Sequence, residues 1–174
     1  MIDEMVKITK NLSGSIVGIG IDNKKMLDTI NNNDKIKNCF LLENKNTNEK
    51  SFLKKGKTVN IRYLHKKFHY KKIDYTIMHY EDVFKYSKYF TKNSVFITKK
   101  SIYLYGKYNK ELIDDLFKKY RRYNIKLNLN KYNNNFILEV DSSKAKNNWF
   151  TDKYYFVIDS ITEMFSVLEE MLIK

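Results

Sequence analysis

The chain has 174 residues, which is enough for one domain and too few for two full ones. A hydrophobic content of 43% excludes a chain too polar to build a core, and a single cysteine, Cys39, excludes a disulfide framework or a cysteine-rich metal site. The net charge of +13 suits an acidic partner such as nucleic acid, although A/T-rich codon usage also produces a lysine-rich chain without proline.

The sequence gives no sign of a membrane or a secreted destination. No run approaches the roughly 18 apolar residues that a membrane span needs, and the first ten residues contain no apolar stretch of signal-peptide length. The lone cysteine fits a reducing compartment. We therefore expect one soluble, cytoplasmic domain over residues 1–174 that makes no contact with a membrane.

Apolar runs alternate with amphipathic stretches along most of the chain. The runs predict strands at Ser15–Ile21, Asn38–Glu43, Thr58–Leu64, Ile73–His79, Ser101–Tyr105, Ile125–Leu129 and Phe136–Val140. Two further strands are left open, at Ser94–Ile97 and Tyr154–Ile158. Helical spacing predicts helices near residues 23–30, at Glu81–Phe90, at Lys110–Tyr123 and from Ser160 onwards.

The order of these elements predicts the fold class. Strand and helix alternate from residue 15 to about residue 124, which indicates βαβ units and a mostly parallel sheet. The stretch IKLNLNKYNNNFILEV then reads as two strands joined by a polar turn. We expect a three-layer, Rossmann-like α/β fold whose parallel sheet ends in an antiparallel C-terminal hairpin.

The stretch GSIVGIGIDNKKMLD, residues 14–28, reads as a strand that ends on glycines and leads into a helix. Ligands of such sheets bind beyond the carboxyl ends of the strands, and Gly18 and Gly20 would let a ligand approach the backbone. Asp22 follows at the turn. The alternatives are that the glycines serve close packing of strand against helix and that Asp22 only starts the helix.

Glu43 ends CFLLE, the second predicted strand, 23 residues after Gly20. An acidic residue about 20 residues after a glycine turn is where a carboxylate that holds ribose hydroxyls is expected. The alternative is a solvated strand end that opens a polar loop. Taken together, the glycines and Glu43 favour an adenosine-binding site.

The motifs resemble those of the class I S-adenosylmethionine-dependent methyltransferases. IVGIGIDN looks like the first motif of that family, CFLLE like its second, and KKIDYTIMHY like the strand that carries its fourth. The resemblance implies a seven-stranded sheet with an antiparallel last pair and S-adenosylmethionine as the cofactor. It places the cofactor-binding residues at Gly18, Gly20, Asp22 and Glu43.

The same resemblance implies that His79, Tyr80 and Glu81 face the methyl group and the substrate, with His79 and Tyr80 as the catalytic candidates. For His79 the alternative is a partly buried histidine at a strand end. His65 and His69 are four residues apart without a nearby carboxylate cluster, and we expect no metal site.

Two departures from the family pattern leave other functions open. Gly18 stands where the family has an acidic residue, and Asp22 stands where it has a second glycine. The chain could therefore be a catalytically degenerate module that binds or scaffolds. A third alternative is a basic nucleic-acid-binding protein, because tyrosines alternate with cations in KYSKYFTK and KKYRRYN.

Overall fold

The computed structural model describes residues 1–21, 23–42, 56–59, 72–80, 94–123 and 125–145. Its strands are β1 (Gly14–Ile19), β2 (Ile36–Leu42), β3 (Gly56–Val59), β4 (Ile73–His79), β5 (Thr98–Lys107), β6 (Lys126–Tyr132) and β7 (Asn135–Asp141). Its helices are α1 (Ile2–Lys10), α2 (Lys24–Asn31) and α3 (Lys110–Arg121), with a 3-10 turn at Ser142–Lys144.

All seven strands form one sheet in the order β3-β2-β1-β4-β5-β7-β6. The pairs β3–β2, β2–β1, β1–β4 and β4–β5 are parallel, whereas β7 runs antiparallel to both of its neighbours. The predicted mostly parallel, Rossmann-like α/β sheet with an antiparallel end is confirmed.

The predicted C-terminal hairpin is β6 and β7, which pair from Lys126↔Asp141 to Tyr132↔Asn135. Asn133, in the two-residue turn between them, has a φ of 52°. Asparagine tolerates this left-handed conformation better than most residues, which is why a polar, asparagine-rich turn could close the hairpin.

Apolar side chains are buried on both faces of the sheet. On one face α1 and α2 pack over a cluster that includes Ile16, Cys39 and Ile77. On the other face α3 packs through the stripe that its sequence predicted, with Ile113, Leu116 and Tyr120 buried. The result is the three-layer arrangement that the alternating strands and helices indicated.

The helix starts follow the expected capping chemistry. Asn23 accepts a hydrogen bond from Met26 N–H at 3.3 Å, and Asn109 accepts one from Leu112 N–H at 3.3 Å. Each amide side chain thus satisfies a backbone N–H that lacks a partner inside its own helix. A single asparagine in the sequence therefore predicted where each of α2 and α3 begins.

Helix α1 is held to the rest of the fold by Asn33. The Asn33 Nδ2 donates to the carbonyl oxygens of Thr9, Lys10 and Leu12 at 3.1, 3.2 and 3.1 Å. An ion pair between Lys25 and Asp3 adds a contact between α1 and α2. The carbonyl groups at the end of α1 are thereby satisfied by a residue that lies beyond α2.

At the amino-terminal ends of β1 and β4, the two strands are joined by Asp74. Its Oδ2 accepts from Ser15 N–H at 2.8 Å and from Ser15 Oγ at 3.0 Å, and Ser15 Oγ in turn accepts from Asp74 N–H at 3.1 Å. Gly14 has a φ of 98°, and a Cβ there would collide with the Asp74 carboxylate. Glycine is therefore required where β1 begins.

One secondary-structure expectation was wrong. Residues 94–97, left open as a strand, are helical, and β5 begins immediately after them. Ser94, Val95 and Ile97 in this short helix are all buried. Outside the described residues lie 60–64 of the third predicted strand, Glu81–Phe90, Tyr154–Ile158 and the helix predicted from Ser160.

Candidate functional site

The end of β1 turns sharply at Gly20. The strand stops at Ile19, and Gly20 has a φ of 63°, which L-residues with a side chain rarely adopt. Ile21 then returns to the core, and Asn23 caps α2. The sequence after β1 therefore makes a tight turn whose backbone is free of a side chain at Gly20.

The end of β2 lies beside this turn. Gly18 pairs with Leu41 and Ile19 pairs with Leu42 in a parallel register, so both strands finish at the same edge of the sheet. Glu43 would come directly after Leu42, but Glu43 and Asp22 lie outside the described residues. The structure thus brings together the two strand ends that the sequence analysis combined.

The end of β4 lies on the other side of Gly20. Ile19 pairs with Met78 in parallel register, so His79, the last residue of β4, reaches the same edge as Gly20. Neighbouring strands are about 4.8 Å apart. Gly20 therefore lies between the end of β2 and the end of β4, at the edge where ligands of such sheets bind.

Gly18 is buried against two apolar side chains. A Cβ on Gly18 would lie 2.6 Å from Ile21 Cδ1 and 2.7 Å from Leu41 Cδ2. Ile21 therefore fills the space beside the backbone of Gly18, which matches the close-packing alternative. A contact between Gly18 and a ligand stays a prediction, and it could involve only the Gly18 backbone.

His79 and Tyr80 occupy different environments. The His79 ring is half-buried and lies tilted against the Tyr105 ring, with 5.1 Å between centroids. Tyr80 is 5% exposed and meets the Phe136 ring edge-on at 5.7 Å. Burial raises the pKa of Tyr80 to about 12, which makes its hydroxyl a poor proton acceptor or donor at neutral pH.

Tyr105 is the site residue that sequence reasoning did not single out. It pairs with His79 across β4 and β5, and its ring contacts the imidazole. The available signal was the alternation of tyrosines in IYLY, which places Tyr103 and Tyr105 on one side of β5. The pairing register of two parallel strands cannot be read from that alternation.

Among the described residues, no group of three His, Cys, Asp or Glu side chains is arranged to hold a metal ion. His65 and His69 lie outside the described residues. In the same part of the chain, no helix is long and apolar enough to cross a bilayer.

No protein-family model matches the sequence, and no curated protein matches it. Solved structures do resemble the fold. An O-methyltransferase family protein from Burkholderia thailandensis superposes with a TM-score of 0.62 at 7% identity, over 83% of this chain and 57% of that one. The chain therefore spans little more than half the length of that protein.

Two further neighbours match with fuller coverage of their own chains. The precorrin-6y C5,15-methyltransferase of Geobacter metallireducens has a TM-score of 0.60 and 11% identity, over 79% of this chain and 88% of that one. A putative tRNA (m1A22) methyltransferase of Streptococcus pneumoniae, solved with S-adenosyl-L-methionine, has a TM-score of 0.55 and 13% identity, over 84% and 75%.

These three likenesses cover 79 to 84% of this chain, and they concern its fold. At identities of 7 to 13%, these solved structures show a shared fold and do not show a shared activity. The chain has the fold of the class I S-adenosylmethionine-dependent methyltransferases, as IVGIGIDN and CFLLE predicted.

Proposed function

We propose that this protein binds S-adenosylmethionine at the carboxyl ends of β1 and β2 and acts as a methyltransferase-like protein. The observation that supports the proposal is the position of Gly20, in a left-handed turn between the ends of β2 and β4. A ligand above this edge would meet the partly exposed backbone of Gly20 and side chains from both neighbouring strands.

The residues present fit the cofactor. Gly20 offers close approach to the backbone, and the sequence places the carboxylate of Glu43 one residue after β2, where its two oxygens suit the ribose hydroxyls. Asp22 follows the turn and would contact the polar end of the ligand. When bound, the cofactor supplies an electrophilic methyl group on a sulfonium.

The chain's own residues would orient the methyl acceptor and accept a proton from it. Holding a nucleophile in line lowers the barrier without covalent help from the protein. His79 is the better placed of the two catalytic candidates, because its half-buried imidazole lies at the edge next to Gly20, whereas Tyr80 is buried. If the acceptor carries a proton, His79 would accept it.

We further propose that residues 1–174 form one domain, located in the cytoplasm. The described strands share one sheet, and the only cysteine of the sequence, Cys39, is a buried free thiol. A chain without a pair of cysteines for a disulfide is typical of reducing compartments.

Titration calorimetry with S-adenosylhomocysteine tests the binding step. We expect saturable binding by the wild-type chain and weaker binding, by about 10- to 100-fold, in Glu43→Gln, because hydrogen bonds to a charged carboxylate are lost. Glu111→Gln is the matched control, since Glu111 is exposed on α3. A folded wild-type sample that shows no binding at millimolar ligand contradicts the proposal.

A second candidate function is a binding or scaffolding module that has lost its cofactor. It is favoured by the packing of Ile21 against Gly18, where the resembled family has an acidic side chain. The two candidates differ in the same titration: the module binds no S-adenosylhomocysteine although its circular dichroism and unfolding transition are those of a folded protein.

A further inference from the structure

The end of the sheet opposite Gly20 carries a cluster of cations, which we call the basic patch. Its exposed members are Lys72, Lys99, Lys118, Arg121, Lys126 and Lys144. None of these six forms an ion pair with another residue in the part of the chain that the structure describes. Their charges are therefore available to a partner.

The fold brings these residues together from distant parts of the chain. Lys72 precedes β4, and Lys99 lies at the start of the neighbouring β5. Asp141, the last residue of β7, pairs with both Ser101 and Lys126. The four strand ends β4, β5, β7 and β6 span three strand spacings, or about 14 Å.

Helix α3 and the chain after β7 complete the patch. Basic residues make up most of the last turn of α3, just before Lys126 begins β6. Lys144 follows in the 3-10 turn after β7. Cations from strands, helix and turn thus converge at one end of the molecule.

Two carboxylates at these strand ends, Asp74 and Asp141, already have hydrogen-bond partners. Asp74 accepts hydrogen bonds from Ser15 and lies 3.4 Å from Lys100 Nζ. Asp141 accepts from Ser143 N–H at 3.0 Å and from Ser143 Oγ at 2.5 Å, and these bonds lower its pKa. The charges of Lys144 and Lys126 also lower the pKa of Asp141, so this carboxylate offsets part of the patch. Neither Asp74 nor Asp141 forms an ion pair with any of the six cations in the part of the chain that the structure describes.

An aromatic pair lies near the strand ends of the patch, on the face of the sheet that α1 and α2 cover, whereas Lys118 and Arg121 lie on α3, on the other face. The half-buried rings of Tyr75 and Tyr103 are stacked, with 6.4 Å between centroids and 26° between planes. Lys100 Nζ lies 5.1 Å from the centroid of the Tyr75 ring. The Tyr103 hydroxyl is held by Glu139 at 3.1 Å, which fixes the orientation of its ring.

We propose that this surface, the basic patch together with Tyr75, Tyr103 and Lys100, binds single-stranded nucleic acid. Cations that track a phosphate backbone beside aromatic faces that stack on bases are the two features that sequence-tolerant binding of single strands uses. Free phosphate or an anionic lipid headgroup would use the cations but not the tyrosine faces.

Tyr103 is level with Gly18 across the sheet, because both pair with Ile77. The basic patch, by contrast, lies at the opposite end of the parallel strands from Gly20 and does not form part of the proposed cofactor site. It would anchor a nucleic acid rather than present a base for reaction. The inference is therefore independent of S-adenosylmethionine binding and is tested without it.

Fluorescence anisotropy with a labelled 12-nucleotide oligouridine, across a series of salt concentrations, is the primary test. Six phosphate contacts would give a slope of log affinity against log salt no steeper than about −4, since single strands contribute about 0.7 per contact. We expect Lys99→Gln/Lys126→Gln to make the slope shallower by about 1.4. The matched control is Lys107→Gln/Lys110→Gln, whose exposed lysines lie at the other end of β5 and the start of α3.

The stacking part of the inference is tested with Tyr75→Leu and, in case that variant folds poorly, with Lys100→Gln. Loss of one stacked base predicts about tenfold weaker binding in Tyr75→Leu with an unchanged salt slope. Lys100→Gln removes the cation over Tyr75 and predicts a smaller loss.

Several outcomes would overturn the inference. Equal losses in the two double-lysine variants would show attraction by net charge alone. Equal affinity for a 12-base-pair RNA duplex would remove the role of exposed bases. Binding to phosphatidylserine vesicles with no binding to oligouridine would assign the surface to a membrane instead.

Discussion

Gly18→Ala is expected to destabilise the protein by a predictable amount. The added Cβ would lie 2.6 Å from Ile21 Cδ1 and 2.7 Å from Leu41 Cδ2, about 1 Å closer than ordinary van der Waals contact. Overpacking of this kind costs about 1 to 3 kcal/mol. Replacing glycine by alanine also stiffens the unfolded chain, which returns about 0.4 to 1 kcal/mol.

The net expectation is a loss of about 1 to 2 kcal/mol, which in a domain of this size corresponds to a fall in Tm of roughly 2 to 8 °C. Ile21→Val removes the nearer methyl group and by itself costs about 0.5 to 1.5 kcal/mol. In that background Gly18→Ala should cost less, because the remaining Ile21 neighbour, Cγ1, is 3.3 Å away.

Urea unfolding followed by circular dichroism, carried out on the wild type, both single variants and the double variant, gives the coupling energy. We expect a coupling of about 1 kcal/mol in the favourable direction. Free energies that add within about 0.5 kcal/mol would refute the reasoning, because Ile21 would then not be the group that fills the space beside Gly18.

Three further predictions concern groups away from this packing. Asn33→Ala removes the donor to three carbonyl oxygens at the end of α1 and should cost about 1 to 3 kcal/mol in urea unfolding; a neutral effect would contradict the role of Asn33. Partial burial opposes ionisation of Asp74, but the hydrogen bonds from Ser15 and the charge of Lys100 outweigh it and lower its pKa below 3.8. Its stabilisation is therefore present above pH 3.8 and lost as the pH falls through the lowered pKa, so wild type and Asp74→Asn should differ in urea unfolding at pH 6 and converge near pH 2; a constant difference would count against the assignment. Burial raises the pKa of Cys39 to about 12, so a thiol reagent at pH 8 should label the native chain slowly and the urea-unfolded chain at once, whereas rapid labelling of both would be the contrary result.

The sequence predicted the architecture because its signals are local and repeated. Alternating strands and helices gave the parallel sheet, and two β-rich runs around an asparagine turn gave the β6–β7 hairpin. Strand limits were less well predicted, because they depend on partners: β5 extends to Lys107 where it pairs with β7. Ser94–Ile97 was left open as a possible strand, because an apolar run of four residues is too short for its periodicity to distinguish helix from strand.

For the candidate site, too, the sequence predicted some features and missed others. The ends of β1 and β2 are neighbours because of the strand order, and the sequence predicted this. That Ile21 packs against Gly18 depends on how side chains meet after folding, which no spacing reveals. The stacking of Tyr75 on Tyr103 depends on the pairing register of β4 and β5, which sets Tyr75 opposite Ser101, and was not predicted either.

The strand order has a consequence for how the chain folds. Strands β5, β6 and β7 with α3 come from one continuous segment, Thr98–Asp141, in which paired residues are 3 to 15 positions apart in β6–β7 and 28 to 40 apart in β5–β7. The link between Ser15 and Asp74, by contrast, closes a loop of 59 residues. Because low contact order favours rapid folding, the antiparallel half should acquire protection from hydrogen exchange first, and β1 should dock against β4 in a later step.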